Sequence, residues 1–398
     1  IDYLPLQAEM LYSIGFLQDR AGDPRAAETT LRRAADAAAR AGDHYLYART
    51  ALGLLWVIGA KQGRFDDAAP LRTLAAQAVA LAGDPADLRS QLLVDDGAVD
   101  YIHGDYARAR PTLERAVAVT ESLHGPDSVD LVAPLNLLAA AQADDDDHSS
   151  IELYQRALRI LRATQGPNHP RVGSILGNLA NSYSDLGDLD KAIAYQRQAI
   201  AIIEGAYGAD APDLGPALVG LGNSVWMLGR YDEAYQLNQR AGRLWEKAYG
   251  PEHPYVQVAQ TNMAGLLRKL DRCAEALPII DRVLTRETKR LGADHPTLAM
   301  SVEFRGGCLL DVGRLAEARP ELERALRLYG SSSPGEVAMI HFDLARLRWA
   351  SGERTAALAE AEQARRALLD DPADLAQRAH GVVSVSDRVA AWLKDKRP

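Results

Sequence analysis

Cysteine is almost missing from this sequence. Only Cys273 and Cys308 occur in 398 residues, far apart and without a CxxC pair. That leaves no disulfide framework and no zinc knuckle, and it makes a reducing cytoplasm the default compartment. Aromatic residues are scarce, at 6%, while alanine is abundant. Small residues at that density suit closely packed helices better than sheets. Long apolar runs are missing too: the longest, ALGLLWVIGA at 51–60, is half of the ~20 residues that a membrane-spanning helix needs. There is no excess of positive charge, since 45 Lys and Arg face 54 Asp and Glu for a net charge of −9. Neither nucleic acid nor an anionic membrane surface is an expected partner. No signal-peptide pattern opens the chain, which starts at Ile1 and reads as a piece cut from something longer.

What is present is repetition. GPNHP at 166–170 returns as GPEHP at 250–254, GADHP at 292–296, GADAP at 208–212 and GPDSV at 125–129. The leading glycines stand at 125, 166, 208, 250 and 292, in steps of 41, 42, 42 and 42. A fixed period in this range marks a repeat array, in which each unit buries its neighbour's apolar face. Within 166–207, Pro170 sits where a first helical turn tolerates it. Val172, Ile175, Leu176, Leu179, Ala180 and Tyr183 then recur at helical spacing. Gly187 stops that helix, and Asp188 caps a second one carrying Ala192, Ile193, Ala199, Ile200 and Ile203. A helix-ending glycine with alanine five residues on recurs at Gly22/Ala27, Gly63/Ala68, Gly104/Ala109, Gly187/Ala192, Gly229/Ala234, Gly313/Ala318 and Gly352/Ala357, and Asp271/Ala276 keeps the spacing without the glycine. The phrase is thus the joint between successive helix pairs.

This pattern resembles the tetratricopeptide repeat (TPR). The 42-residue unit with HP at the joint and LGNLANSY after it is similar to the repeats of kinesin light chains and their bacterial relatives, longer than the common ~34-residue form. The resemblance implies an all-α, right-handed superhelical solenoid of about nine helix pairs plus a C-terminal capping helix at 373–394. Three N-terminal units without the HP joint fill 1–124. Five units of the kinesin-light-chain kind fill 125–330, and 331–398 holds the last unit and the cap, all in one continuous solenoid. The stretch RTALGLLWVIGAKQGRFDDAAPL resembles the region after the catalytic domain in large bacterial Ser/Thr protein kinases with repeat arrays. No HRD, DFG or glycine-rich loop of such a kinase is present in this chain.

The resemblance also implies a groove lined by the first helix of each pair. The matching places hold Asn178, Asn181, Asn223, Trp226, Asn262, Arg268, Lys269, Phe304, Phe342, Arg346 and Trp349, with Tyr12, Phe16 and Tyr101 in the early units. Asparagine is a poor mid-helix residue, and its amide can bond both N–H and C=O of an extended peptide. The aromatic residues are either pockets for a partner's anchors or packing between neighbouring helices. Serine, glycine, valine and threonine precede the asparagines (Ser174, Gly177, Val219, Thr261), which argues against the lysine-bearing clamp that holds chaperone tails.

No catalytic set emerges. His169, His253 and His295 lie one per joint and cannot meet at a metal. DDDD at 144–147 lacks the alternation, glycine and distal glutamate of a calcium loop and reads as a turn before a helix capped by Ser149 or Ser150. Arg115, Arg156, Arg240, Arg282 and Arg324 recur among acidic neighbours and read as solvated salt bridges. Asp96 and Arg305 replace the usual buried leucine and require partners or a distorted repeat. The expectation is a non-catalytic scaffold without cofactor or metal, binding a protein or peptide in its groove. The alternatives are the docking arm of a kinase or a self-associating scaffold.

Overall fold

The computed structural model describes residues 3–143, 147–330 and 333–396. Among these residues there are 20 α-helices and no strand. Two compact units, 1–169 and 170–398, divide the chain. Each is a stack of antiparallel helix pairs, an α-solenoid. The first unit holds four pairs: α1 (Leu4–Arg20) with α2 (Pro24–Ala41), α3 (His44–Leu55) with α4 (Phe65–Leu81), α5 (Ala86–His103) with α6 (Tyr106–His124), and α7 (Val132–Gln142) with α8 (Asp147–Gln165). The second holds five: α9 (Pro170–Asp185) with α10 (Leu189–Tyr207), α11 (Leu214–Met227) with α12 (Tyr231–Tyr249), α13 (Pro254–Lys269) with α14 (Cys273–Leu291), α15 (Ala299–Asp311) with α16 (Leu315–Tyr329), and α17 (Pro334–Ala350) with α18 (Arg354–Leu368). The C-terminal cap is two helices, α19 (Pro372–Ala379) and α20 (Val385–Lys396).

The joints work through backbone geometry. Gly125, Gly208, Gly250 and Gly292 close the second helix of their pairs with φ of 85–91° and ψ of 160–167°. That region is open essentially to glycine alone, which accounts for the invariant first letter of the phrase. The fourth letter is the next cap. His253 Nδ1 accepts from the Tyr255 N–H at 3.3 Å and His295 Nδ1 from the Thr297 N–H at 3.3 Å. Ser128 does the same for Asp130 at 3.2 Å. Ala211, at the same place in the fourth copy, offers no such acceptor, and the α-helix there starts at Leu214. The recurrent arginines latch this corner: Arg156 donates to Pro126 O, Arg240 to Ala209 O and Arg324 to Ala293 O, each onto the residue after the joint glycine, at 2.6–3.2 Å. The expected salt bridges accompany all three, to Glu121, Glu204 and Glu321.

The eight alanines that follow the turn by five residues (Ala27, Ala68, Ala109, Ala192, Ala234, Ala276, Ala318 and Ala357) are all fully buried. They bring the start of the second helix onto the first. Farther along the same contact, Gly97 leaves room for Leu113, which would lie 2.6 Å from an added Cβ. Asp271, standing where the other turns have glycine, adopts φ +57°, a left-handed conformation that a short polar side chain tolerates. Helix α8 begins at Asp147, so Ser149 and Ser150 lie inside it rather than at its cap. Residues 144–146 of the DDDD stretch lie outside the described residues. Asp96 and Arg305 both have partners: Asp96 binds Arg72 at 2.6 Å, and Arg305 binds Asp281 at 2.7 Å and Glu321 at 3.0 Å. Both cysteines are buried and free.

Candidate functional site

The residues expected to line a groove are divided between the two units. In the first unit the leading helices of all four pairs, α1, α3, α5 and α7, line one cavity of about 670 Å³. Its walls include Tyr12, Phe16, Tyr45 and Trp56, and its charged side chains are Asp19, Arg20, Arg49 and Asp87, with Gln91 and Asp95 beside them. Trp56 opens a π-helical turn, Trp56–Lys61, where Gln62 N–H reaches back five residues to Val57 O at 3.0 Å. The extra residue per turn widens α3's continuation beside the cavity, a distortion common at functional sites.

The side chains of this cavity are held but not covered. Trp56 Nε1 donates to one oxygen of Asp19 at 3.2 Å, while Asp19 Oδ1 is buried without a protein partner. Arg49 lies over the Tyr12 ring at 4.3 Å, and Arg20 lies 5.9 Å from Phe16. Tyr45 donates to Asp87 at 2.5 Å. Asp95 is buried, and loss of solvation pushes its carboxyl up to about 8, with the Gln91 amide at 2.7 Å opposing. It is therefore a neutral hydrogen-bonding group at pH 7. Phe16 keeps 49% of its surface exposed.

The second unit treats its groove residues differently. Arg268 is sandwiched between two carboxylates, Asp311 at 2.8 Å and Asp343 at 2.6 Å, and Arg346 bonds the same pair at 2.8 and 3.0 Å. Burial works against the Arg268 charge, and Asp343 and Asp311 more than offset it, so the guanidinium is held firmly protonated. Its head lies over Gly307, where an added Cβ would meet it at 2.2 Å. Lys269 is pushed down to about 7 by burial, aided by Arg388 and Arg268. Burial pushes Glu303 up to about 7 despite the opposing Arg268 charge and a 3.0 Å bond from Tyr329.

The aromatic groove residues of this unit are packed. Phe304 covers Gly265, Trp226 is half-buried against the α11–α12 core, and Trp349 stands 5.6 Å from Trp392 of α20. Asn181 accepts from Gln196 at 3.0 Å, and Asn262 donates to Asn238 at 3.0 Å. Asn178 is half-buried, and Asn223 is exposed. Tyr101, in the first unit, packs beside Tyr106 at 5.8 Å. Sequence reasoning did not find Asp311, Asp343, Gln196 or Asn238. Arg268 and Asp343 are 75 residues apart, and no local pattern pairs them.

Three family models, each described as tetratricopeptide repeat, match this chain, at residues 140–205 and 255–331, at 217–255 and at 308–372. The chain belongs to the tetratricopeptide-repeat family. Among solved structures the apo form of the quorum sensor NprR from B. thuringiensis is 13% identical over 92% of this chain and 97% of its own, with a TM-score of 0.63. A Rap protein complexed with Competence and Sporulation Factor is 10% identical over 88% of this chain and 99% of its own, with a TM-score of 0.55. A Podosopora anserina structure of kinesin light chain nearly identical TPR-like repeats is 20% identical over 52% and 98%, with a TM-score of 0.44. At these identities the likeness establishes the TPR fold. No curated protein matches the sequence. Among the described residues no helix of this TPR protein is long and apolar enough to cross a membrane, and no three His, Cys, Asp or Glu side chains group as metal ligands.

Proposed function

We propose that this TPR protein is a non-catalytic interaction scaffold that takes an extended segment of a partner protein in the cavity of its first unit. The observation that carries this reading is the cavity itself: about 670 Å³, walled by aromatic rings and with an unpartnered acceptor, Asp19 Oδ1, in its lining. A volume of that size accommodates anchor side chains. Aromatic and arginine residues at the centre of a concave surface are the groups that most often dominate binding energy. Asp19 Oδ1 and the neutral Asp95 carboxyl offer an acceptor and a donor to a partner's backbone.

The test is selection from a random-peptide display library against the full chain. Selected peptides bind the wild-type chain and lose about tenfold or more in affinity on Phe16→Ala, a change of at least ~1.4 kcal/mol. Peptides indifferent to Phe16 and to Arg49→Met refute the assignment. A second reading places the partner along Asn178, Asn181, Asn223 and Asn262, and the exposure of Asn223 favours it. Loss of binding on alanine substitution of those four, with Phe16→Ala neutral, selects this reading instead.

A further inference from the structure

The chain's only two cysteines meet across the junction of two repeats. Cys273 is the first residue of α14, and Cys308 lies in the last turn of α15. Both belong to one core cluster, with Leu267, Ile280, Leu309 and Leu322. Their thiols hydrogen-bond each other. Cys273 Sγ also faces Asp311 Oδ2 at 3.9 Å, the carboxylate that Arg268 and Arg346 hold. A buried free thiol packs as a small hydrophobe wherever it stands. That accounts for each cysteine singly and not for the placing of one sulfur against the other.

The two thiols are unlike. The hydrogen bond from Cys308 holds the Cys273 thiol below its ordinary value, with Arg268 assisting against burial and Asp311. Cys273 also heads a helix, where the backbone dipoles favour a thiolate. The same contact and burial push the Cys308 thiol up. Cys273 follows directly on the exposed turn residues Asp271 and Arg272, whereas Cys308 is fully buried. One sulfur is set to react with a small oxidant, and the other to resolve the product.

We infer that Cys273 and Cys308 form a redox modification site, which hydrogen peroxide converts into a reversible disulfide pinning α14 to α15. The Cys273 thiolate attacks one peroxide oxygen, the O–O bond breaks, and hydroxide leaves and takes up a proton to become water. Cys273 is then a sulfenic acid. The Cys308 sulfur attacks the Cys273 sulfur, the S–O bond breaks, and the second hydroxide leaves as water with the Cys308 proton. Two thiols and one peroxide become one disulfide and two waters: the sulfurs are oxidised and the peroxide oxygens reduced. A small dithiol reverses the step by exchange. In a reducing compartment the resting state is the dithiol, and the disulfide is the transient, signal-dependent form.

The test treats the native full chain with hydrogen peroxide, blocks remaining thiols with iodoacetamide and maps the product with trypsin. The expected product is fragment 273–282 joined to fragment 306–314, released by cleavage after Arg272, Arg282, Arg305 and Arg314, two hydrogens lighter than the separate fragments and parted by dithiothreitol. In Cys308→Ser, Cys273 is captured as a dimedone adduct. In Cys273→Ser, the remaining thiol oxidises about tenfold or more slowly. The joined chain unfolds at higher urea than the reduced chain, because the closed loop restricts the unfolded state. The mapping of the wild-type chain decides the matter even where a serine variant fails to fold. Thiols that survive in the native chain a peroxide dose that oxidises them in the urea-unfolded chain overturn the inference. So does sulfinic acid at Cys273 without the joined fragments, or a joined chain that unfolds at lower urea than the reduced one.

Discussion

The two units of this TPR protein are built from the same helix pair and end with opposite inner surfaces. In the first, Phe16 is 49% exposed, Asp19 retains an unpartnered oxygen, and rings line an open cavity. In the second, Arg268 and Arg346 are tied to Asp311 and Asp343, Phe304 covers a glycine, and Trp349 meets Trp392. The same repeat positions are therefore left open to a cavity in one place and serve cohesion in the other. What decides is whether neighbouring repeats supply a partner for the side chain.

The contrast breaks most visibly at the ion cluster. Arg268→Met leaves two buried carboxylates with only Arg346 to serve them. Breaking a buried pair from one side costs about 3–5 kcal/mol, and the urea midpoint of the chain falls accordingly. A change within 0.5 kcal/mol of zero, the range of an ordinary surface substitution, would mean that the cluster is not cohesive.

Asp95 sharpens the first unit's side of the comparison. Its carboxyl is raised in the folded chain to about 8, above its ordinary 3.8. The folded state keeps a proton there that the unfolded state releases. Stability from this group is complete below the unfolded value and is lost as pH rises toward 8. Asp95→Asn therefore stabilises the chain at pH 8, by about 1–3 kcal/mol, and has little effect near pH 4. Denaturant titrations at the two pH values check the sign.

Phe16→Ala separates binding from folding. An exposed residue costs under about 0.5 kcal/mol of stability on truncation, while the selected peptides lose about tenfold in affinity. The smallest effect is expected at a joint, which both units share. His295→Ala removes a helix cap and costs about 1 kcal/mol, with peptide binding unchanged.

How much of this was legible from sequence follows the range of each interaction. The joint glycine, the capping histidine and the alanine five residues past each turn are local and periodic, so the repeat and its helix boundaries could be read directly. Asp271 in place of a turn glycine could also be read, since its position alone required a left-handed residue. The ion cluster could not, because Arg268 finds Asp311 and Asp343 only once three repeats are stacked. The sequence of α20 could be read as a cap on the last repeat, where Val389 and Leu393 do pack, but not that Trp392 would meet Phe342 and Trp349. Asp96 and Arg305 were visible as anomalies, and their partners, Arg72, Asp281 and Glu321, came from helices whose register only the fold supplies. The asparagines were conspicuous as a set, yet Asn181 and Asn262 bond Gln196 and Asn238 on the second helices of their neighbourhoods.

The central claim is that a partner's segment enters the first unit's cavity. Hydrogen–deuterium exchange of the full chain with and without a display-selected peptide tests it most directly. The account predicts slowed exchange in residues 4–20 and 44–61, the helices that carry Tyr12, Phe16, Arg49 and Trp56. Slowing confined to 170–396, with those two segments unchanged, would contradict it.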